Sequence, residues 1–329
     1  MPTLAERMEH HQVLLYLAAI VAGVGTGLAV PDVGPTLEHF INPALGLLLY
    51  VTFLQVPAAS LVAAIRDGRF MTAIVVVNFV VVPLVVAAMF TFLPSDQALR
   101  VGVLLVLLCP CVDYVIVFSG LAGGDARRLL AATPMLLLLQ MLLLPLFLWA
   151  YMGSDLAAII DVGPFLNAFG VLIVIPLALA WATQWWSTKH TSGRRFSAGI
   201  SVSMVPLMML VLAIVTASQV PTIRGSWTSV VAAIPVYVTF LIVMGVGGVV
   251  VGLLLQLDTA GRRAVIFSGG TRNSLVVLPL ALALPAGFEV AAAVVVTQTL
   301  IEVIGMVIYV RVVPRLVPPT NKRDREHEL

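Results

Sequence analysis

One short stretch decides the fold: LLCPCVDY, residues 107–114. It places a Cys-Pro-Cys triplet and a carboxylate, Asp113, inside an otherwise apolar run. Proline lacks a backbone N–H and clashes with the preceding turn, so a helix through this run must kink or break at Pro110. A second stretch, FSGGTRNS at residues 267–274, puts paired glycines and four polar residues into another apolar run. The sequence therefore predicts two interrupted helices that carry polar and charged groups.

The composition sets the class of protein to which these breaks belong. The chain has 329 residues, of which 60% are hydrophobic and only 10% are charged, and this excludes an ordinary soluble domain. A helix of about 20 apolar residues crosses the hydrocarbon core of a bilayer. We therefore predict an all-α, polytopic membrane protein with ten transmembrane helices, at residues 11–30, 38–60, 70–93, 98–120, 128–152, 164–186, 199–220, 229–255, 262–284 and 288–313.

The distribution of basic residues supports this count. With ten spans, 15 of the 18 Lys and Arg residues fall on one side, and only Arg100 and Arg224 fall on the other. By the positive-inside rule, both termini and a tail at 314–329 are expected to be cytoplasmic, in a multi-pass protein of the cytoplasmic membrane.

The chain also looks duplicated. The segments at 42–57 and 205–221 both carry a proline near the start and end in Gln-Val-Pro, about 163 residues apart. Five spans per copy would invert the second copy in the membrane, giving repeats at 1–160 and 161–313. Inverted repeats with interrupted helices indicate a transport site near the bilayer midplane. Chance resemblance between Leu- and Val-rich helices is the alternative.

The predicted site lies where the broken fourth and ninth spans cross. We assign the breaks to Pro110, Gly269 and Gly270, and substrate binding to Arg272, Asn273 and Ser274 together with Cys111. Charges at membrane depth are costly and usually mark a substrate or ion path. The alternative is that Asp113 and Arg272 only neutralise each other in a tight helix crossing.

Two further side chains have chemistry that suits transport. A thiolate is a ligand for soft trivalent metalloids, so Cys111 is a candidate metalloid ligand, whereas Cys109 would face elsewhere on a regular helix. Glu302, in the last span, and Asp113 are candidates for proton or ion coupling. The alternatives are a cysteine that is simply a small buried residue and a protonated glutamic acid that joins two helices. Asn78 and Gln298 are expected to form hydrogen bonds between helices.

The chain resembles the arsenical-resistance (arsenite) permeases within the bile acid:sodium symporter superfamily. The resemblance rests on the cysteine segment from Cys111 to Asp125, on Glu302-Val303 in the last span, and on Asn42-Pro43 and Asn78 with Pro83. It implies a panel and a core domain, crossing broken spans, and efflux of arsenite or antimonite in exchange for protons. Cys111 and Glu302 would be the functional residues. Asp113, Cys109 and the basic Arg272 depart from the permease pattern, and the segment around Arg272 is nearer to that of the symporters.

The leading hypothesis is thus a secondary transporter that exports trivalent arsenic. A sodium-coupled symporter of a small organic anion, held by Arg272, is the main alternative. No cofactor and no nucleic-acid partner are expected; the partners are membrane lipid, a small inorganic or anionic substrate, and a proton or sodium ion. An intramembrane enzyme is disfavoured because neither His-Glu-x-x-His nor a nucleophile elbow occurs. A passive channel is a further, equally disfavoured alternative.

Overall fold

The computed structural model describes residues 8, 11–54, 67–112, 114–153, 170–225, 227–282, 284–285 and 287–319. Within these ranges the chain is built from α-helices and contains no strand. The helices are α1 (Gln12–Ala29), α2 (Gly34–Leu54), α3 (Gly68–Phe90), α4 (Gln97–Leu107), α5 (Tyr114–Leu121), α6 (Ala126–Met152), α7 (Ile175–Lys189), α8 (Thr191–Ser201), α9 (Met204–Gly225), α10 (Trp227–Leu254), α11 (Thr259–Gly270), α12 (Ser274–Leu282) and α13 (Glu289–Leu316).

Six of these helices are long and apolar enough to cross a membrane alone: α2, α3, α6, α9, α10 and α13. The helix α1 is apolar but shorter, and a π-helical turn, Gly170–Val174, precedes α7. Two pairs of short helices, α4 with α5 and α11 with α12, occupy the fourth and ninth predicted spans. The prediction of an all-α polytopic membrane protein with two broken spans is confirmed.

Aspartate side chains fix where several helices begin. A carboxylate at a helix N-terminus accepts a backbone N–H that has no partner in the first turn, and it interacts favourably with the helix dipole. Four helices, α3, α4, α6 and α11, begin in this way, at Asp67, Asp96, Asp125 and Asp258 respectively. Two of these caps, Asp96 and Asp258, fix the N-terminal ends of α4 and α11, the helices that lead into the two breaks.

The helices pack as two groups. In the panel group, α1 and α2 pack against α9, and α7 packs against α2. In the core group, α10 packs against α11 and α13, and α13 packs against α4. The groups meet where α9 contacts α13. This division agrees with the panel and core domains that the family resemblance implies, and it places both breaks in the core group.

Some boundaries differ from the predictions. The short helix α8 lies where the sequence indicated mainly a loop between the sixth and seventh spans. The last helix continues through Pro314 to Leu316, so the first residues of the predicted tail are helical. Residues 320–329, the end of the second predicted span with its Gln-Val-Pro motif, and the start of the sixth lie outside the described residues. The division at residue 160 lies there too, and the duplication stays a prediction.

Candidate functional site

The two broken spans cross at backbone level. Pro110, between α4 and α5, forms an isolated antiparallel bridge with Arg272, between α11 and α12. The N–H of Asn273 donates to the carbonyl of Cys109 (2.8 Å), and the N–H of Cys111 donates to the carbonyl of Thr271 (3.3 Å). Unwound backbone at membrane depth is tolerated only when its polar groups have partners inside the protein. Each break therefore supplies hydrogen-bond partners for unwound backbone groups of the other break.

This pairing is symmetric in sequence. Every bonded pair joins a residue near 110 to a position close to 162 further along the chain, the offset of Pro110 from Arg272. The caps at Asp96 and Asp258 have the same offset, as do Arg100 and Arg262 just inside α4 and α11. Arg100 and Arg262 each direct Nε to a backbone carbonyl next to the start of their own helix. Equivalent positions of this kind would be expected of a duplicated pair of helices, and the duplication itself stays a prediction.

The structure corrects the position of the second break. Gly269 and Gly270 were predicted to interrupt the ninth span, but they form the last turn of α11, and the break begins at Thr271. The glycines are needed for close packing instead. A Cβ at Gly269 would lie 2.8 Å from Val77 Cγ2, and one at Gly270 would lie 2.9 Å from Tyr309 Cε2. Pro110 lies within the first break, as the sequence predicted.

Arg272 is completely buried, and its guanidinium is held by oxygen atoms of the protein. One terminal nitrogen donates to the carbonyl of Leu107 (3.3 Å), which lies at the end of α4. The other donates to the carbonyls of Ser268 (2.7 Å) and Gly269 (2.9 Å) and to Asn78 Oδ1 (2.7 Å). The ring of Phe240 lies 5.5 Å from the guanidinium carbon, within cation–π distance. Arg272 thus ties the ends of both half-helices, α4 and α11, to α3.

Asn78 connects the crossing to α3 through a local irregularity. It lies in a π-helical turn, Val77–Val81, and such turns are frequent at functional sites. Its Nδ2 donates to the carbonyl of Ile74 (3.0 Å) and to Ser268 Oγ (2.8 Å), while its Oδ1 accepts from Arg272. The predicted interhelical role of Asn78 agrees with these contacts, which join α3 to α11.

Glu302 lies on α13 and is 1% exposed. Its carboxylate accepts three hydrogen bonds, from the hydroxyl of Tyr114 (2.5 Å), from the backbone N–H of Arg272 (2.7 Å) and from the amide of Gln298. Gln298 lies one turn earlier on the same helix, so its predicted bond between helices is wrong, and it supports the carboxylate from within α13. Glu302 therefore contacts both breaks, through Tyr114 and through Arg272.

Cys111 is buried in the first break, and its backbone N–H donates to Thr271, next to the residue that binds Glu302. Neither Cys109 nor Cys111 forms a disulfide. The backbone of Cys111 and the carboxylate of Glu302 are thus bonded to adjacent residues of one backbone segment.

Asn273 and Ser274 join α12 to its surroundings. Asn273 Oδ1 accepts the backbone N–H of Val276 (3.3 Å), which is a capping contact at the start of α12. Ser274 Oγ accepts from the hydroxyl of Thr299 (2.7 Å) on α13. Their predicted role in substrate binding stays a prediction. Asp113 lies outside the described residues, and so does its predicted pairing with Arg272.

Sequence reasoning missed one residue of this site, Tyr114. Its hydroxyl donates to Glu302, and it also lies 3.4 Å from the carbonyl of Arg272. It is the first residue of α5, and its ring packs edge-on against Phe118. A hydroxyl-bearing aromatic residue directly after a predicted break is the signal that was available.

A second polar cluster, the clamp, lies at the ends of core helices away from the crossing. Arg128 forms salt bridges with Asp67 (3.1 Å), Asp125 (3.2 Å) and Asp258 (2.9 Å), the caps of α3, α6 and α11. Partial burial acts against its charged form, but the carboxylates, Asp258 foremost, raise the pKa of Arg128 above its ordinary value. Beside the clamp is a cavity of about 540 Å³, whose lining includes Gly124, Arg127 and Thr259.

Within the described ranges, no group of three or more His, Cys, Asp and Glu side chains is arranged to hold a metal ion. The site consists instead of one carboxylate, one guanidinium and two buried thiols around two broken helices. Half-helix ends and freed backbone groups at a crossing are typical of the substrate sites of secondary transporters.

Comparison with known proteins agrees with this architecture at the level of the family. No match was found among curated proteins. Residues 14–316, nearly the whole chain, match the SBF-like CPA transporter family, which is related to the bile acid:sodium symporters. The chain is a multi-pass membrane transporter and belongs to the SBF-like CPA transporter family.

Proposed function

We propose that this transporter exports trivalent arsenic, as arsenite, across the cytoplasmic membrane in exchange for protons, with the crossing as its substrate site. One observation carries the proposal. Cys111 bonds to the backbone of Thr271, and Glu302 bonds to the backbone of the next residue, Arg272. A metalloid ligand and a proton-binding group are thus joined through a single peptide unit.

The thiol supplies the affinity for the substrate. Trivalent arsenic is soft and prefers sulfur ligands. When arsenous acid binds Cys111, an As–S bond forms and an As–O bond breaks. The thiol proton leaves with the displaced hydroxide as water, so the exchange changes no net charge. Because arsenous acid is neutral, its binding requires no ion pair with a charged side chain of the site.

Glu302 supplies the coupling. As a carboxylate it accepts three hydrogen bonds, from Tyr114, Arg272 and Gln298. Protonation of one oxygen adds an O–H donor, so the hydrogen bonds at that oxygen must rearrange: either the Tyr114 hydroxyl reverses and accepts, or one of the other donors moves away. Two of the three donors belong to the breaks themselves. A change of protonation at Glu302 therefore rearranges hydrogen bonds beside the peptide unit that also binds the backbone of Cys111.

The contacts of Arg272 favour arsenite over an organic anion. The guanidinium already makes four hydrogen bonds to acceptors on α3, α4 and α11. A carboxylate ligand that bound side-on to both terminal nitrogens would have to displace them. Arg272 is accordingly assigned a positioning role, in which it keeps the half-helices together.

Sodium-coupled symport of an anion has one observation in its favour. Two buried donors at the crossing, Arg272 Nε and Asn273 Nδ2, have no acceptor within the described part of the chain. Such donors suit the oxygens of an anion. This second candidate predicts that transport depends on a sodium gradient and tolerates the loss of Cys111.

Arsenite uptake into everted membrane vesicles distinguishes the candidates. Uptake is measured with a proton gradient, with a sodium gradient and with neither, for the wild type and for Cys111→Ser. Cys109→Ser is the matched control, because it removes a buried thiol two residues away. The proposal predicts uptake that requires the proton gradient, is lost in Cys111→Ser and is retained in Cys109→Ser. Absence of arsenite uptake by folded wild-type protein would overturn it.

A further inference from the structure

The corner between α7 and α8, residues 185–196, carries three cations without countercharges. Lys189, Arg194 and Arg195 are all exposed. The sequence has no Asp or Glu from residue 162 to residue 257, so the whole stretch around this corner is free of acidic residues. In the described part of the chain, no carboxylate lies within salt-bridge distance of these three residues.

The corner has a defined geometry. The chain is extended at His190, and α8 then folds back against the end of α7. Gly193 makes this contact possible, because a Cβ there would lie 2.9 Å from the backbone N and Cα of Ser187. The rings of Trp186 and Phe196 pack 5.8 Å apart across the same contact. The two arginines that follow Gly193 are thereby held at the exposed surface.

Aromatic side chains indicate the depth of the corner relative to a bilayer. Trp181, Trp185 and Trp186 are exposed near the end of α7, and tryptophan is enriched where a membrane meets water. The ammonium of Lys189 lies 4.1 Å from the ring centre of Trp185. Cations next to such a belt lie at the level of the lipid headgroups.

Five arginines elsewhere in the chain are neutralised or bonded by the protein. Arg128 forms salt bridges with three carboxylates. Four further arginines direct N–H groups to backbone carbonyls: Arg100, Arg262, Arg263 and Arg272. The corner differs from these sites because its charges face outward, beside a lipid-exposed helix, with no opposing charge.

We propose that the corner binds anionic phospholipid headgroups, such as phosphatidylglycerol, of the leaflet that it faces. The lipid phosphates complement the two guanidinium groups, and Trp185 and Phe196 contact the adjoining glycerol and acyl region. Because α8 packs on α7 and α2, the bound lipid anchors the panel group to the bilayer while leaving the core group free. This proposal does not depend on the transported substrate.

Native mass spectrometry of the purified full-length protein in detergent tests the proposal, with phosphatidylglycerol and phosphatidylcholine titrated separately. The double variant Arg194→Gln/Arg195→Gln is compared with Arg311→Gln/Arg315→Gln, which removes the same charge from exposed positions on α13. The expected result is a preference of the wild type for phosphatidylglycerol. That preference should weaken by roughly 5-fold for each charge lost at the corner and by clearly less in the α13 variant.

Three results would overturn the proposal: no preference in the wild type, equal losses in both double variants, or complete displacement of the lipid by inorganic phosphate. The last of these would identify the site as one for free anions. Thermal unfolding establishes that each variant is folded. If the double variant does not fold, Lys189→Gln tests the same surface, with a smaller expected loss.

Discussion

Arg272 and Arg128 show two ways in which one chain accommodates a guanidinium group. Arg272 is 0% exposed, and its side chain is solvated by three backbone carbonyls and one amide oxygen. The side chain of Arg128 is 34% exposed and is surrounded by three carboxylates. At the surface, water and salt screen each ion pair and leave little net stabilisation. Inside the core group, each lost contact leaves a buried polar group without a partner, which is far more costly.

The two arginines also differ in their carboxylate partners. Among the described residues, Arg128 forms three salt bridges and Arg272 forms none. In the described part of the chain, Glu302 is the acidic side chain that reaches the crossing, and it binds the backbone N–H of Arg272 instead of the guanidinium. The carboxylate can therefore change its protonation while the guanidinium keeps all four of its own bonds. A stable positive charge and a titratable negative charge are held side by side without forming a direct pair.

The largest effect is expected for Arg272→Met. The substitution leaves three carbonyls and Asn78 Oδ1 without their donor in the buried crossing. We expect a loss of at least about 3 kcal/mol in the free energy of unfolding, because several buried acceptors lose their donor at about 1–3 kcal/mol each. Unfolding in mixed micelles measures this value. Arg128→Met is the control, and equal losses in the two variants would contradict the contrast between the sites.

A smaller loss is expected for Asn78→Ala. This change removes the acceptor of Arg272 and the donor of Ser268 while leaving the arginine in place. Leaving such groups unsatisfied should lower the free energy of unfolding by about 1–3 kcal/mol. Thr72→Ala, in the same helix but with an exposed hydroxyl bonded within its own turn, is the matched control and should change little. A similar loss in both variants would show that α3, and not the crossing, is being weakened.

Tyr114→Phe should have a more selective effect. The ring contact with Phe118 is retained, while the hydroxyl that donates to Glu302 is lost. We expect a loss of stability of about 1 kcal/mol, together with reduced transport per folded molecule. Tyr50→Phe is the control, because its hydroxyl contacts Thr183 in the panel group. Unchanged transport in Tyr114→Phe would remove the hydroxyl from the coupling mechanism.

The smallest effect is expected for Arg128→Gln. Three surface ion pairs should contribute at most about 1 kcal/mol together, and less in high salt. Because the pKa of Arg128 is raised, its contribution is complete below the pKa of the unfolded chain and is lost only as pH rises through the still higher folded value. Titration of Arg128 itself should therefore change nothing across the neutral range. Unfolding at low and high salt tests this, and a large, salt-independent loss would contradict it.

The fold was largely predictable because its main determinant is the length of apolar runs. A bilayer imposes that length directly, so the six long apolar helices and the two broken spans of the described chain were visible in the sequence. The position of the first break was predicted correctly from Pro110. The glycines misplaced the second, because Gly269 and Gly270 serve close packing against Val77 and Tyr309 and not local unwinding.

Several residues of the site could be predicted from the sequence, but the hydrogen bonds that join them could not. Scarcity of charge identified Arg272 and Glu302, since few ionisable groups occur at membrane depth. The hydrogen bonds from Arg272 to backbone carbonyls could not be predicted, because every residue type has a backbone carbonyl. Tyr114 was overlooked for a related reason, as its partner lies 188 positions away on α13. The amphipathic helix α8 was missed because it is short and contains glycine.

The central claim is that Cys111 and Glu302 couple a metalloid to a proton at one crossing. Its most direct test is the proton flux caused by adding arsenite to proteoliposomes that contain the purified protein and an internal pH indicator. We predict arsenite-dependent proton movement in the wild type and in Cys109→Ser. Cys111→Ala should show none, and Glu302→Gln should bind arsenite without moving protons. Proton movement that persists in Glu302→Gln, or no arsenite-dependent proton movement in the wild type, would contradict the account.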